Sequence, residues 1–444
     1  MTGQHLRSGS AALAPAAPTR SGLVGRCTRP VVLVGRTDTI DPATGAVVAT
    51  VDSDLLPGGR LLVPCGDRRA AVCPSCAKVY QADTYQLVRA GLAGGKTVPA
   101  TVAAHPAVFA TLTPPSFGTV HARRTDPGGQ PRACRPRRTG PVCEHGAADY
   151  CWTAHRPDDP AVGQPLCPGC WDYPGAALWQ AHAGRLWAAT VLAVRRRLAR
   201  LAGIAIRRLP ALARVSFVRV AEFQRRGLIH LHTVIRVDGP SGPDDPPPAW
   251  AGIELLTQAV QAAHATAVVA TPYSRAYGEL EARWGPQLDV QPIPADGALP
   301  AAGGPVGRRA VAAYLAKYAT KSTHDAGISL GRIRRPADLD AAGISPHARQ
   351  LALTCWRLGA LPEYRHLRLR AWAHALGWRG HSSTRSRRYS TTLTALRQAR
   401  AEHQASERAA SPEDSRPQGV DLVLERDWRY VGRAFPVRIG GMSP

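Results

Sequence analysis

Within the run EFQRRGLIHLH the chain carries Glu222, His230 and His232. On a β-strand, residues i and i+2 point to the same face. His230 and His232 therefore project side by side, while Ile229, Leu231 and Thr233 face the other way. Two imidazoles so placed can ligate one divalent metal, and a hairpin turning at Gln224–Gly227 brings Glu222 across as a third ligand. Two His and one carboxylate leave coordination positions open for substrate oxygens, as a catalytic metal requires. Taken alone, the pair also fits two ordinary histidines on a half-exposed strand.

A second constellation follows in AYLAKYATK, residues 313–321. A helical period sets Tyr314 and Tyr318 about 40° apart around the axis, with Lys321 beside them and Lys317 close by. A phenol is a weak nucleophile near neutral pH because its pKa is about 10. An adjacent Lys favours the phenolate and can hold a phosphate oxygen. The same tyrosines and alanines would also suit a buried helix face with Lys at its rim. Composition argues for chemistry: the chain has four Lys against 52 Arg, and two of the four are Lys317 and Lys321. Lys is a compact donor whose pKa can be tuned, and Arg is not.

Cys73-Pro-Ser-Cys76 and Cys167-Pro-Gly-Cys170 are two CxxC knuckles, which together can close a tetrahedral Zn²⁺ site. A second zinc site can be assembled from Cys143, His145, Cys151 and His155, with Cys65 or Cys134 as substitute ligands. A redox pair is the alternative, but nothing thioredoxin-like surrounds either knuckle. Cys355, in an apolar helix, reads as core.

The elements that must position these groups are legible from periodicity. Strands are expected at Val108–Thr113, at Leu288–Ile293 and in a hairpin over Arg214–Val237, and helices at Lys78–Leu92, Trp179–Leu209, Ile253–Ala270 and Val306–Thr320. Strands and helices interleaved in this way imply an α+β fold. Residues 1–60 read as a mostly disordered arm with one short strand at Val31–Val34. Residues 61–325 form the core, with a Cys-rich insert at 121–172 that has too few apolar residues for a core of its own. Residues 326–408 read as a helical, basic region, and 409–444 as a linker, opening on a polar break at Ala409–Pro417, with a short strand-like end.

The net charge is +24 over 444 residues, which favours a polyanionic partner, nucleic acid first. A GC-rich coding sequence explains Arg over Lys, but not the deficit of acids. Tyr173–Ala221 holds nine Arg and no acid. His381–Arg400 holds five Arg and no acid, including Arg385, Arg387 and Arg388 among Ser and Thr. Such runs are either solvated faces or tracks for a DNA backbone, and the second is expected to bind DNA. No apolar run approaches the roughly 18 residues of a membrane span, and residues 1–25 lack a signal-peptide core. A soluble, cytoplasmic bacterial protein with no membrane partner is expected. Ten Cys over this length exclude a small secreted disulfide scaffold. Gly91-Leu-Ala-Gly-Gly-Lys96-Thr97 resembles a P-loop, but the pattern needs Gly where Ala90 stands and a strand where a helix is expected.

Phe109-Ala-Thr-Leu-Thr113, His230-Leu-His232 and the Tyr314/Tyr318 helix resemble, in order and spacing, the three motifs of the HUH superfamily of rolling-circle replication initiators. The two-tyrosine form resembles initiators of small isometric phages and related plasmids more than single-tyrosine relaxases. CPSCAKVYQADTYQLVRAGLAGGK, HPAVFATLTPPSFG, VAEFQRRGLIHLH and GHSSTRSRRYSTTLTALRQAR are similar to RepSA-like initiators of actinomycete plasmids and integrative elements, over about residues 60–435. The resemblance implies an HUH-type antiparallel sheet, ferredoxin-like or palm-like, with flanking helices. It also implies nicking of single-stranded origin DNA through a 5′-phosphotyrosyl intermediate that a later 3′-OH religates. Mg²⁺ or Mn²⁺ would sit on His230, His232 and Glu222, with Tyr318 or Tyr314 attacking beside Lys317 and Lys321. Origin DNA and a host helicase are the implied partners. The Cys-rich insert departs from better-known members and blurs the domain boundaries. A conjugative relaxase or an HUH transposase is the alternative within the class, and a zinc-stapled DNA-binding regulator without chemistry is the alternative outside it.

Overall fold

In a computed structural model the first elements are β1 (Val31–Ile40), β2 (Val47–Asp52), β3 (Leu61–Val63), α1 (Pro74–Ala93), β4 (Ala107–Leu112), β5 (Arg124–Thr125) and β6 (Pro131–Arg132). Then come α2 (Tyr173–Leu201), α3 (Leu209–Leu212), β7 (Arg214–Phe223), β8 (Ile229–Asp238), α4 (Ile253–Thr266), β9 (Val268–Ala270), β10 (Glu281–Arg283) and β11 (Leu288–Pro292). The last are α5 (Arg308–Ala319), α6 (Pro346–Leu358), β12 (Ser383–Arg385), α7 (Leu393–Ala409) and β13 (Val423–Arg433). The structure describes residues 26–137, 140, 142–294, 307–326, 331–340, 342–409 and 422–434. The readings made above for residues 1–25 and for the polar break beyond Ala409 lie outside the described residues. The chain divides into two compact units: Thr84–Ser390, and the two ends together, Met1–Asp83 with Thr391–Pro444.

The larger unit is built on an antiparallel sheet ordered β11-β4-β8-β7-β12. Alternation along the strands decides which side chains go where. Ile229, Leu231, Ile235 and Val237 of β8, with Val108, Ala110 and Leu112 of β4, turn into one core. There they meet Trp179, Leu186 and Leu198 of α2 and Leu256 and Val260 of α4. Fully burying a Leu or Val side chain stabilises by roughly 1.5–3 kcal/mol, so this shared face fixes the register of the sheet. A one-residue slip would move the set to the other face. The alternate positions, Phe109, Thr111, His230 and His232, occupy the opposite face, where the rings of Phe109 and His232 meet Tyr314 of α5. Asp172 caps α2 by accepting from the Gly175 amide at 2.8 Å.

A second core gathers Trp171, Tyr173 and Leu178 near the start of α2 with Leu351, Cys355 and Leu358 of α6. The region from 331 to 390 is less helical than its composition suggests. Only α6, opened by Pro346, is long; Pro336 and Pro362 each open a short 3₁₀ element, and Arg368 and Leu376 end 3₁₀ turns in the left-handed region. Its last part is not a helix but the edge strand β12.

In the smaller unit β1 pairs with β13 along its whole length, and also with β2 and β3. Residues 31–63 are thus strands of a sheet rather than an arm, and the strand-like end near residue 430 is its partner. Buried Asp83 pairs with Arg397 and Arg400 of α7 within this unit. Among the described residues no helix is long and apolar enough to cross a membrane.

Candidate active site and metal centres

The hairpin β7–β8 sets His230 directly opposite Glu222, and β4–β8 sets His232 opposite Thr111. His232 Nε2 lies 2.8 Å from Glu222 Oε2, and its Nδ1 lies 3.2 Å from the Thr111 hydroxyl. With Nε2–H donating to the carboxylate, Nδ1 accepts from Thr111. Lys321 Nζ donates to the other Glu222 oxygen at 2.7 Å. Burial opposes the charge on Glu222, but the hydrogen bonds from His232 and Lys321 outweigh it and hold the carboxyl below its usual range. His230 is pushed down to about 3, first by burial and then by the neighbouring His232 and Arg226. The imidazole is therefore neutral at physiological pH. Its buried Nε2 has no hydrogen-bond partner among the described residues.

Helix α5 brings the tyrosines to the same place. The Tyr314 and Tyr318 ring centroids are 4.4 Å apart, and each lies close to His232, at 5.1 and 5.0 Å. Phe109 stacks on His232 and takes the edge of Tyr314. Lys321 Nζ is 4.1 Å from the Tyr318 ring centroid, and Lys317 Nζ is 5.9 Å from it. The Tyr314 phenol is pushed above its ordinary value by burial and by Tyr318 beside it. All seven residues expected at the catalytic centre thus converge around one imidazole and one carboxylate. Thr111 belongs to the same group. It shares a strand face with Phe109, which the alternation of FATLT already contains.

The sequence reading missed how the hairpin tip is held. Gly227 turns the chain in the left-handed region, φ +79. Gln180 of α2, fully buried, donates to the Gly227 carbonyl at 2.8 Å and accepts from the Ile229 amide at 3.1 Å. His347 of α6 donates to the Arg226 carbonyl at 3.1 Å. Gln180→Ala is expected to leave a buried carbonyl and a buried amide unpaired, lowering stability by about 2 kcal/mol or more. Urea titration followed at the hairpin would show it, and a loss below about 0.5 kcal/mol would refute the role.

The described cysteines form no disulfide. Among the described residues three groups could each hold a metal ion: Cys27, Cys65, Cys73 and Cys76; His121, Cys134, Cys151 and His155; and Cys143, His145, Cys167 and Cys170. This corrects the expected ligand sets. Cys73 and Cys76 do not share a site with Cys167 and Cys170, and Cys143 and His145 do not share one with Cys151 and His155. The first knuckle, at the start of α1, is met by Cys65 and by Cys27 within its own unit. Cys27 stands alone in the sequence, so no local spacing marks it.

Of the basic residues expected to bind DNA, Arg387 and Arg388 are exposed. Arg385 is half-buried in β12, and its guanidinium donates to the Ser386 and Arg387 carbonyls. Arg196, Arg197 and Arg200 of α2 line a cleft of about 390 Å³. The glycine of the P-loop-like run, Gly91, lies in helix α1, where a Cβ would stand 2.3 Å from the Tyr389 ring. Its glycine is required by packing.

A sequence profile described as replication initiator protein, pSAM2, matches residues 17–437. A replication initiator protein of Streptomyces ambofaciens is 46% identical over 413 residues, spanning 92% of this chain and 84% of its own length. No solved structure matches the chain. With the match running through both units and every residue of the His–Tyr site, the chain belongs to the RepSA replication initiator family.

Proposed function

We propose that this chain initiates rolling-circle replication as an HUH-type nickase of origin DNA. The observation that carries the reading is the packing of both tyrosine rings against His232, Tyr314 edge-on and Tyr318 tilted, with Lys321 lying over the Tyr318 ring and bonded to Glu222. A five-stranded antiparallel sheet with the His pair on an inner strand supports it. A tyrosine phenol oxygen attacks the scissile phosphorus and the P–O3′ bond breaks. The phenol's proton is balanced by the 3′-OH that leaves, and the 5′-phosphate stays on tyrosine. We assign the first cut to Tyr318, because the Lys321 ammonium lies 4.1 Å from its ring centroid, where it can hold a phosphate oxygen, whereas burial and Tyr318 beside it raise the Tyr314 phenol. Tyr314 then serves the closing cut.

His230, His232 and Glu222 fit a divalent ion: an unpartnered buried Nε2, a second imidazole and a carboxylate share one sheet face. Mg²⁺ or Mn²⁺ bound there would polarise the scissile phosphate. Around it, Thr111 orients His232, Lys321 holds Glu222, and the Gln180 clamp keeps the hairpin in register. Arg387, Arg388 and the basic cleft of α2 would track the DNA backbone, giving salt-sensitive binding.

Incubation with single-stranded origin DNA and Mn²⁺ tests the reading. His230→Ala with His232→Ala is expected to abolish cleavage, by about 10³-fold or more, while salt-sensitive binding persists. Cleavage retained in that variant would overturn the metal assignment.

We infer zinc for the three Cys/His groups. At a Zn–S distance of about 2.3 Å, the edge of a tetrahedron is about 3.8 Å. Cys65 Sγ lies 3.7 Å from Cys76 Sγ, and Cys73 Sγ lies 3.8 Å from Cys27 Sγ. A disulfide needs about 2.05 Å. The thiolate–imidazole donor sets of the other two groups suit the same ion.

A further inference from the structure

The eight ligands of the Cys-rich insert alternate between its two groups by pairs. His121 and Cys134 belong to one, Cys143 and His145 to the other; Cys151 and His155 return to the first, and Cys167 and Cys170 to the second. We propose that residues 121–170 form an interleaved, cross-braced module of two zinc ions that docks on the tip of the β7–β8 hairpin and fixes it. Neither half of such a module closes a site without the other, so a segment nearly devoid of apolar core becomes one rigid body.

Several observations beyond the grouping support this. His121 Nδ1 lies 3.2 Å and Cys151 Sγ 3.5 Å from His155 Nε2, and Cys170 Sγ lies 3.4 Å from His145 Nδ1. These are the edges expected of tetrahedra with bonds of about 2.0–2.3 Å. The other nitrogen of His155 donates to Asp159 Oδ2 at 2.7 Å, the outer partner that fixes the tautomer of a metal-bound histidine. The Ala122 amide donates to Cys134 Sγ at 3.1 Å, as amides do to a thiolate ligand. Backbone pairing knits the same crossing, Arg135 with Cys151 and Cys134 with Thr153.

The module reaches the hairpin through the loop that follows His155. Asp159, which orients that ligand, also accepts from Arg225 Nη1 through its carbonyl at 2.9 Å. Gly163 lies so close to the Arg225 backbone that a Cβ would stand 2.6 Å from it. Arg225 lies in the turn between Glu222 and His230. The zinc ligand His155 is therefore two residues' contacts away from the strands that carry the catalytic face, and the consequence for nicking rests on the proposed function above.

The full chain, with its zinc replaced by cadmium, tests the interleaving by cadmium NMR, in which each added thiolate moves the signal to higher frequency. Three signals are expected: four-sulfur, three-sulfur and two-sulfur. In His145→Cys the interleaved assignment converts the three-sulfur site into a second four-sulfur site. A sequential assignment, with residues 121–145 on one ion and 151–170 on the other, would instead convert the two-sulfur site, and that result overturns the proposal. Elemental analysis of Cys27→Ser/Cys73→Ser isolates the insert's share; two zinc per chain are expected, and fewer would also overturn it. Gly163→Ala tests docking without touching a ligand. Zinc content should be unchanged while hydrogen exchange at the Gly227 amide rises about tenfold; unchanged exchange refutes the docking. If these results hold and wild-type protein still forms no DNA adduct, the nicking reading fails and the module stands.

Discussion

Tyr314→Phe combined with Tyr318→Phe is expected to eliminate the covalent protein–DNA adduct, lowering its rate of formation by about 10⁴-fold or more, the scale on which loss of a nucleophile registers elsewhere. Phenylalanine keeps the 4.4 Å ring contact within α5 and the packing against Phe109 and His232, so the loss reports chemistry rather than folding. The single variants separate the two roles. Tyr318→Phe should remove most of the first cut, because Lys321 sits over its ring. Tyr314→Phe should leave the first cut within about threefold and impair the closing transfer, which needs a second free phenol. The 5′-phosphate stays on tyrosine, so a 3′-end-labelled strand follows the adduct on a denaturing gel. An adduct in the double variant would place the nucleophile elsewhere. Equal loss in the two single variants would remove the assigned order.

Why these residues could be found without a structure, and others could not, follows from the range over which each signal acts. The hairpin Arg214–Phe223/Ile229–Asp238 and helix α5 are local patterns, with period 2 on the strands and a Tyr–Tyr–Lys stripe on the helix. They appear in the structure within a few residues of their expected bounds. The ion pair between Lys321 and Glu222 joins residues 99 positions apart, and no pattern on either element announces it. Cys27 and Cys73 are 46 residues apart. The insert's ligands are closer together, yet joining Cys167 and Cys170 to the distant Cys73 knuckle, and Cys143 and His145 to the adjacent Cys151 and His155, misses both groups that the structure brings together. Strand β1 was legible only in its first four residues, since its partner β13 lies near the other end of the chain. Between residues 331 and 390, Arg-rich composition resembled helix, while proline and left-handed turns broke it into short pieces.

Asp238→Ala is expected to destabilise the unit Thr84–Ser390 by about 3–5 kcal/mol, the effect of stripping the partner from a buried charge. Arg236 and Asp238 close β8 with both side chains 0% exposed, in a two-pronged pair at 2.6 and 2.9 Å. His105 Nδ1 adds a third contact to the same carboxylate at 2.8 Å. The guanidinium also donates to the carbonyls of Gly91 and Tyr389 and lies 5.0 Å from the Tyr389 ring centroid. Alanine removes the counter-charge and leaves those donors in place, so Arg236 stays buried and uncompensated. Replacing both members, Arg236→Met with Asp238→Leu, should be less damaging than Asp238→Ala alone, because it removes the charge along with its partner. Burial opposes ionisation of Asp238, but hydrogen bonds from His105 and Arg236 outweigh it and hold the carboxyl below its usual range. A depressed carboxyl stabilises in full above its unfolded value of about 3.9 and ceases to as pH falls through the folded one. Wild-type protein should therefore lose this contribution only in acid, and the alanine variant should lack that part of the acid transition. Hydrogen exchange of β8 amides reads both effects. A loss below about 1 kcal/mol for Asp238→Ala, or a double variant as unstable as the single, would mean that the pair does not anchor the strand that carries His230 and His232.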